Sequence, residues 1–207
     1  MTFAHAAERL AEIGKDFHRR GWVLGTSGNF SMVLDRDPLV LAITQSSVDK
    51  GKLHAGQILR VGRDGAVRPE TPGRPSAETL LHIAVAETVG AGAVLHTHSV
   101  WSTILSDHHA VRAGFFIENY EMLKGLSGVK THEHREWLPI LENSQDLDLL
   151  SKQAASLMRD CPAIHGFLIR RHGLYTWGNE IDEAVRHAEI LEFLLESVGR
   201  RQMMEPV

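Results

Sequence analysis

Two histidines at the end of an apolar run are the most chemically informative feature of the chain. They lie in Ala93-Val94-Leu95-His96-Thr97-His98-Ser99. The run reads as a buried strand, and a period of two puts both imidazoles on one face. Two rings so placed can reach one ion at about 2.0–2.1 Å, the distance zinc requires. A third ligand must come from elsewhere, and spacing alone leaves several. Glu78 lies upstream, at the start of the preceding helix, with His82 one turn later on the same face. His172 lies far downstream in the turn Arg171-His172-Gly173. His132 and His134 form a second His-x-His, but in the polar stretch Lys130–Glu136, where solvated rings are expected. His108 and His109 are adjacent, so their rings diverge. His5, His18, His54, His165 and His187 are expected to be surface or structural residues.

Three hydroxyl-rich loops suggest an anion pocket. Leu24-Gly25-Thr26-Ser27-Gly28-Asn29-Phe30 can expose backbone N–H groups in a concave nest. Thr44-Gln45-Ser46-Ser47-Val48-Asp49-Lys50 follows a strand with three hydroxyls and one ammonium. Gly73-Arg74-Pro75-Ser76-Ala77-Glu78 leads into a helix N-terminus, itself a favourable place for an anion. None has Walker or Rossmann spacing, so nucleotide binding is not indicated. An acid/base candidate sits in Tyr120-Glu121-Met122-Leu123-Lys124, where Glu121 and Lys124 share a helical face.

The elements that must position these residues alternate. A helix is expected over about 2–20, then strands near 30–34, 40–44 and 58–62. A helix capped by Ser76 runs to about Val89, and a strand covers 93–97. A short helix at 100–105, a strand at 114–117 and a helical segment at 119–126 follow. Next come a strand at 138–141 and a helix at 145–158. Strands at 165–169 and 174–177 flank a hairpin turn, and Asn179 caps a final helix whose core face holds Ile181, Val185, Ala188, Leu191, Leu195 and Val198. The pattern predicts an α/β fold, a mainly antiparallel sheet with helices on both faces.

Composition sets the frame. The 207 residues suit one domain, 1–207, with 43% hydrophobic and 23% charged residues. The lone Cys161 excludes a disulfide framework and a cysteine-based zinc site. A net charge of −4 argues against nucleic acid as a partner. No apolar run approaches the ~18 residues of a membrane span, and the N-terminal segment lacks a signal-peptide core. A cytoplasmic location is the expectation. Thirteen histidines invite a metal search without specifying a site.

Taken in order, Thr26-Ser27-Gly28-Asn29, Pro75-Ser76-Ala77-Glu78, His96-Thr97-His98 and Arg171-His172-Gly173 resemble the class II, zinc-dependent sugar-phosphate aldolase family. The resemblance covers nearly the whole chain. Tyr120-Glu121-Met122-Leu123-Lys124-Gly125, Pro139–Asn143 and Ile169–Gly178 are most similar to the family's dehydratases of a methylthio ketose phosphate. The resemblance implies a single α/β/α domain, a homotetramer with sites near subunit interfaces, and one Zn2+ per subunit held by His96, His98 and His172. It implies Glu121 as the catalytic acid, with Glu78 a possible second acid/base. Phosphate contacts map onto Ser27, Gly28, Asn29, Thr44, Ser46, Ser47 and Ser76, with Lys124 as a further substrate contact. Where the aldolases carry a second serine before the glutamate, this chain has Ala77.

Overall fold

The computed structural model describes residues 2–204. Its strands are β1 (Asn29–Arg36), β2 (Leu39–Thr44), β3 (Ile58–Gly62), β4 (Ala93–Thr97), β5 (Gly114–Glu118), β6 (Arg135–Leu141), β7 (Gly166–Ile169) and β8 (Gly173–Gly178). Its helices are α1 (Phe3–Arg19), α2 (Thr79–Thr88), α3 (Val100–His108), α4 (Leu147–Asp160) and α5 (Ile181–Met204). The strands form one sheet in the order β3-β2-β1-β4-β8-β7-β6-β5. Among the described residues every neighbouring pair is antiparallel except β6 with β7. The predicted sheet is therefore mixed by a single parallel pair.

Period-two alternation sorts the strand residues between two helical layers. On one face α1 and α5 pack over Phe30, Met32, Ala93 and Leu95, while α3 and α5 cover Leu138, Leu168 and Leu174. On the other, α2 and α4 close over Val94, Phe167 and Tyr175. α2 also covers Leu41, Ile43, Leu59 and Val61. The predicted core face of the last helix is reproduced, with Ile181, Ala188, Leu191 and Leu195 buried.

Two predicted helices differ. Ser76 does not cap α2: the helix starts at Thr79, with Glu78 at the N-cap position. The preceding segment is tied to the end of β2 instead, through Ser46 N–H to Arg74 O and a bridge between Gln45 and Pro75. The segment after β5 is a short 3-10 turn, Glu121–Gly125, rather than a helix. No helix of the described residues is long and apolar enough to cross a membrane.

Candidate metal centre and anion pocket

β4 sits beside β8 near the middle of the sheet, and its last residues carry the first two histidines. His96 points toward the α2/α4 face, stacked on Tyr175 at 4.0 Å between ring centroids. Thr97 points the opposite way, and its hydroxyl donates to the buried Glu192 of α5. Burial raises that carboxyl to about 7. His98 leaves the strand with its backbone N–H donating to Trp22 O at 2.7 Å. The third histidine arrives on the β7–β8 turn. Arg171 takes a left-handed φ of 54°, its N–H held by Ser106 Oγ of α3. Gly173 then passes so close to β4 that a Cβ would lie 1.9 Å from Thr97 O, so only glycine brings His172 against His96.

The three Nε2 atoms form a triangle with edges of 2.8 Å (His96–His98), 3.1 Å (His98–His172) and 3.3 Å (His96–His172). Ligand atoms about 2.0–2.1 Å from a tetrahedral ion stand about 3.3 Å apart, so the triangle is close to one face of such a tetrahedron. His96 Nδ1 donates to Leu174 O at 2.9 Å, which leaves its Nε2 lone pair free. His172 Nδ1 is buried with no hydrogen-bond partner, so no bond of the chain fixes its tautomer. Burial, then the neighbouring rings, hold His96 and His98 far below the ordinary histidine range. Neutral imidazoles with converging lone pairs are the donor set that a borderline divalent metal takes.

Glu78 completes the group. Its Oε1 lies 3.2 Å from His172 Nε2 and 3.6 Å from His96 Nε2. The four residues are the one cluster of metal-ligating type found among the described residues. Glu78 Oε2 accepts from Asn29 Nδ2 at 2.6 Å. Behind Asn29 stands His82, fully buried, with its ring between Asn29 Oδ1 and Ser31 Oγ. Burial lowers His82 to about 4, so it is neutral and structural.

A cavity of about 390 Å³ opens beside His98, His172 and Glu78. Ser27, Gly28, Asn29, Ser46, Ser47 and Ser76 line it, so the structure brings most of the predicted phosphate residues together. Gly28 has φ 70°, and a Cβ there would meet His96 O at 2.8 Å. Asn29 and Ser76 are bonded to each other at 3.4 Å. Three of the expected residues do not line the cavity within one chain. Thr44 is fully buried, and its Oγ1 accepts the Phe30 N–H because β2 turns that side chain inward. Lys124 and Glu121 pair with each other at 2.5 Å in the turn after β5. That turn follows the end of β5 opposite to the sheet end holding the histidines. It is also four strands from β4, about 19 Å across the sheet. Within one chain neither residue reaches the cluster.

The cavity also takes residues that the sequence reading left out of its site. One is Lys50, whose ammonium was visible in its loop. The others are Asn143, Ser144 and Gln145, a polar run directly after β6. The same strand-then-polar-loop signal that singled out the other loops was present there.

A family model described as the class II aldolase and adducin N-terminal domain matches residues 8–198. The methylthioribulose-1-phosphate dehydratase of Sorangium cellulosum is 41% identical over 196 residues, covering 94% of this chain and 92% of the relative. That of Alcanivorax borkumensis is 42% identical over 195 residues, covering 94% and 90%. Among solved structures, YgbL of Klebsiella pneumoniae superposes with a TM-score of 0.81 at 24% identity, covering 99% of this chain and 93% of that one. An L-fuculose 1-phosphate aldolase gives 0.79 at 21% identity, covering 100% and 91%. These structures share the fold. The matched model and the full-length relatives together establish that the chain belongs to the class II aldolase and adducin N-terminal domain family.

Proposed function

We propose that this protein removes water from 5-methylthioribulose 1-phosphate, giving 2,3-diketo-5-methylthiopentyl 1-phosphate, in the cytoplasm. The observation that carries the reading is the triangle of His96, His98 and His172 nitrogens opening onto a hydroxyl-lined cavity. Its support is the 41–42% identity to dehydratases over nearly full length. The three histidines would hold one Zn2+ per subunit, with Glu78 beside them. Bound zinc supplies Lewis acidity that polarises the substrate carbonyl and makes the neighbouring C3 proton removable.

The chain supplies the rest. Ser27, Gly28, Ser46, Ser47 and Ser76 hold the phosphate, which fixes the distance of C2 and C3 from the histidines. Asn29 holds Glu78 Oε2, so the other oxygen stays turned toward His96 and His172. Loss of the C3 proton and cleavage of the C4–O bond yield an enol and water. A proton must reach the departing hydroxyl, and the enol then ketonises. Glu121 is assigned to take up the C3 proton and to pass it to the departing hydroxyl. Because it lies at the other end of its own sheet, it serves the cavity of a neighbouring copy in a homotetramer. Half-exposed Phe116 and partly exposed Met122 near Glu121, and exposed Val100 and Ile104 just after His98, supply apolar surface for such contacts.

A second reading follows from Glu78. It stands at the cluster where Glu121 does not, which favours an aldolase- or epimerase-type use of the same cavity. Mass spectrometry of the products separates the two. The methylthio ketose phosphate loses one water under the first reading. Under the second it is cleaved at a carbon–carbon bond or returned as an isomer of unchanged mass.

A further inference from the structure

The turn Lys50–Lys52 is capped by Asp49, whose side chain accepts from Gly51 N–H at 2.9 Å. The turn drives Lys50 inward, and only 1% of that residue is exposed. Its Nζ donates to Val48 O at 2.9 Å and to Thr26 O at 3.2 Å. It thereby ties the two loops that face each other across the cavity. No carboxylate among the described residues lies within ion-pair distance of it. Asp49 turns instead toward His18 and Lys52. A buried ammonium held by two carbonyl dipoles and no counter-ion is costly. Burial lowers its pKa to about 8, with Asp49 and Glu78 offsetting that only in part. Ser27, Ser46, Ser47 and Ser76, which line the cavity with it, offer only neutral hydroxyls and amides.

We infer that Lys50 is the charged anchor of the substrate phosphate. It supplies the ammonium contact to substrate that the family resemblance implied for Lys124, and it makes the cavity selective for a phosphate ester over the free sugar. The inference rests on the sugar-phosphate reading above. An ammonium bound to two carbonyls still has one N–H to give, and a dianion supplies the missing counter-charge. Charge-assisted bonds of this kind are the strong ones.

The test is titration of the metal-loaded protein with inorganic phosphate, comparing wild type, Lys50→Met and Lys52→Met. Lys52 is exposed and carries the same charge, so it controls for net charge. Lys50→Met should bind phosphate roughly tenfold to a hundredfold more weakly, and Lys52→Met as wild type does. With substrate, Lys50→Met should raise KM for the phosphate ester far more than it lowers kcat. A merely structural role would lower kcat and leave KM near the wild-type value. If Lys50→Met does not fold, wild type labelled with 15N at the lysine Nζ answers the same question. Its one buried ammonium resonance should move on phosphate addition. Unchanged phosphate affinity in Lys50→Met, or an unmoved buried resonance, overturns the inference. Absence of water loss from the methylthio substrate, with phosphate affinity still dependent on Lys50, would overturn the dehydratase reading alone.

Discussion

The two ends of the sheet hold clusters of nearly the same composition and opposite design. At one end His96, His98, His172 and Glu78 turn their donor atoms to one point. At the other, His134, His165 and His187 surround Glu136 and Ser127, and the ring nitrogens that face the cluster are committed to partners. His165 Nδ1 donates to Glu136 at 3.0 Å and its Nε2 to Ser127 O at 2.8 Å. His134 Nε2 donates to Glu136 Oε2 at 2.8 Å. His187 Nδ1 donates to Trp177 O at 2.7 Å, and its Nε2 accepts the Ser127 N–H at 3.1 Å. One cluster leaves lone pairs free and converging. The other spends its nitrogens on tying Ser127, just past the Glu121–Gly125 turn, to the base of the sheet. Thirteen histidines were therefore a poor guide; the direction of each lone pair separates a ligand from a brace.

The largest expected effect joins the two ends. Glu121→Gln should lower turnover by roughly 10²–10⁴-fold while the metal stays bound. Mixing refolded Glu121→Gln and His96→Ala chains should restore part of the activity, because some cavities then pair an intact cluster with an intact glutamate. Mixed oligomers as inactive as either parent would contradict supply of Glu121 by a neighbour.

A smaller effect is expected at the brace. His165→Leu leaves the buried Glu136 without its main partner and should cost roughly 3 kcal/mol of stability. Metal content should be unchanged. Chemical denaturation and metal analysis of the same sample check both halves.

The smallest is a pH dependence. Burial pushes Glu136 up, but its bonds to His165 and His134 outweigh this and leave it below the usual carboxylate range. Burial pushes His165 down, and the same pair leaves it above the usual histidine range. A raised histidine stabilises fully below its unfolded pKa of about 6.5 and loses that as pH rises through its folded value. A depressed carboxylate stabilises fully above its unfolded pKa of about 4.3 and loses that as pH falls through its folded value. The Tm gap between wild type and His165→Leu should thus be widest near pH 5–6 and narrow on either side. A gap that keeps widening above pH 8 would contradict the ion pair.

Local pattern made much of this molecule legible. The apolar run of β4 and the period-two pair His96/His98 were readable from spacing, as were most strands and the core face of α5. The return of His172 came from the family pattern, because it depends on a turn held by α3 and a glycine pressed against β4. Strand order was not readable, and it is what separates Glu121 and Lys124 from the cluster. Nor was the inward rotation that buries Thr44 and Lys50, since the one segment that carries both reads simply as polar. The brace was invisible because Glu136 finds His165 across 29 residues and Ser127 finds His187 across 60.

The central claim is that converging lone pairs, and not histidine content, make the site. Metal analysis of wild type, His96→Ala and His165→Ala purified in parallel tests it most directly. The account predicts about one zinc per chain in wild type and His165→Ala, and almost none in His96→Ala. Stoichiometric zinc retained by His96→Ala, or zinc lost from a folded His165→Ala, would contradict it.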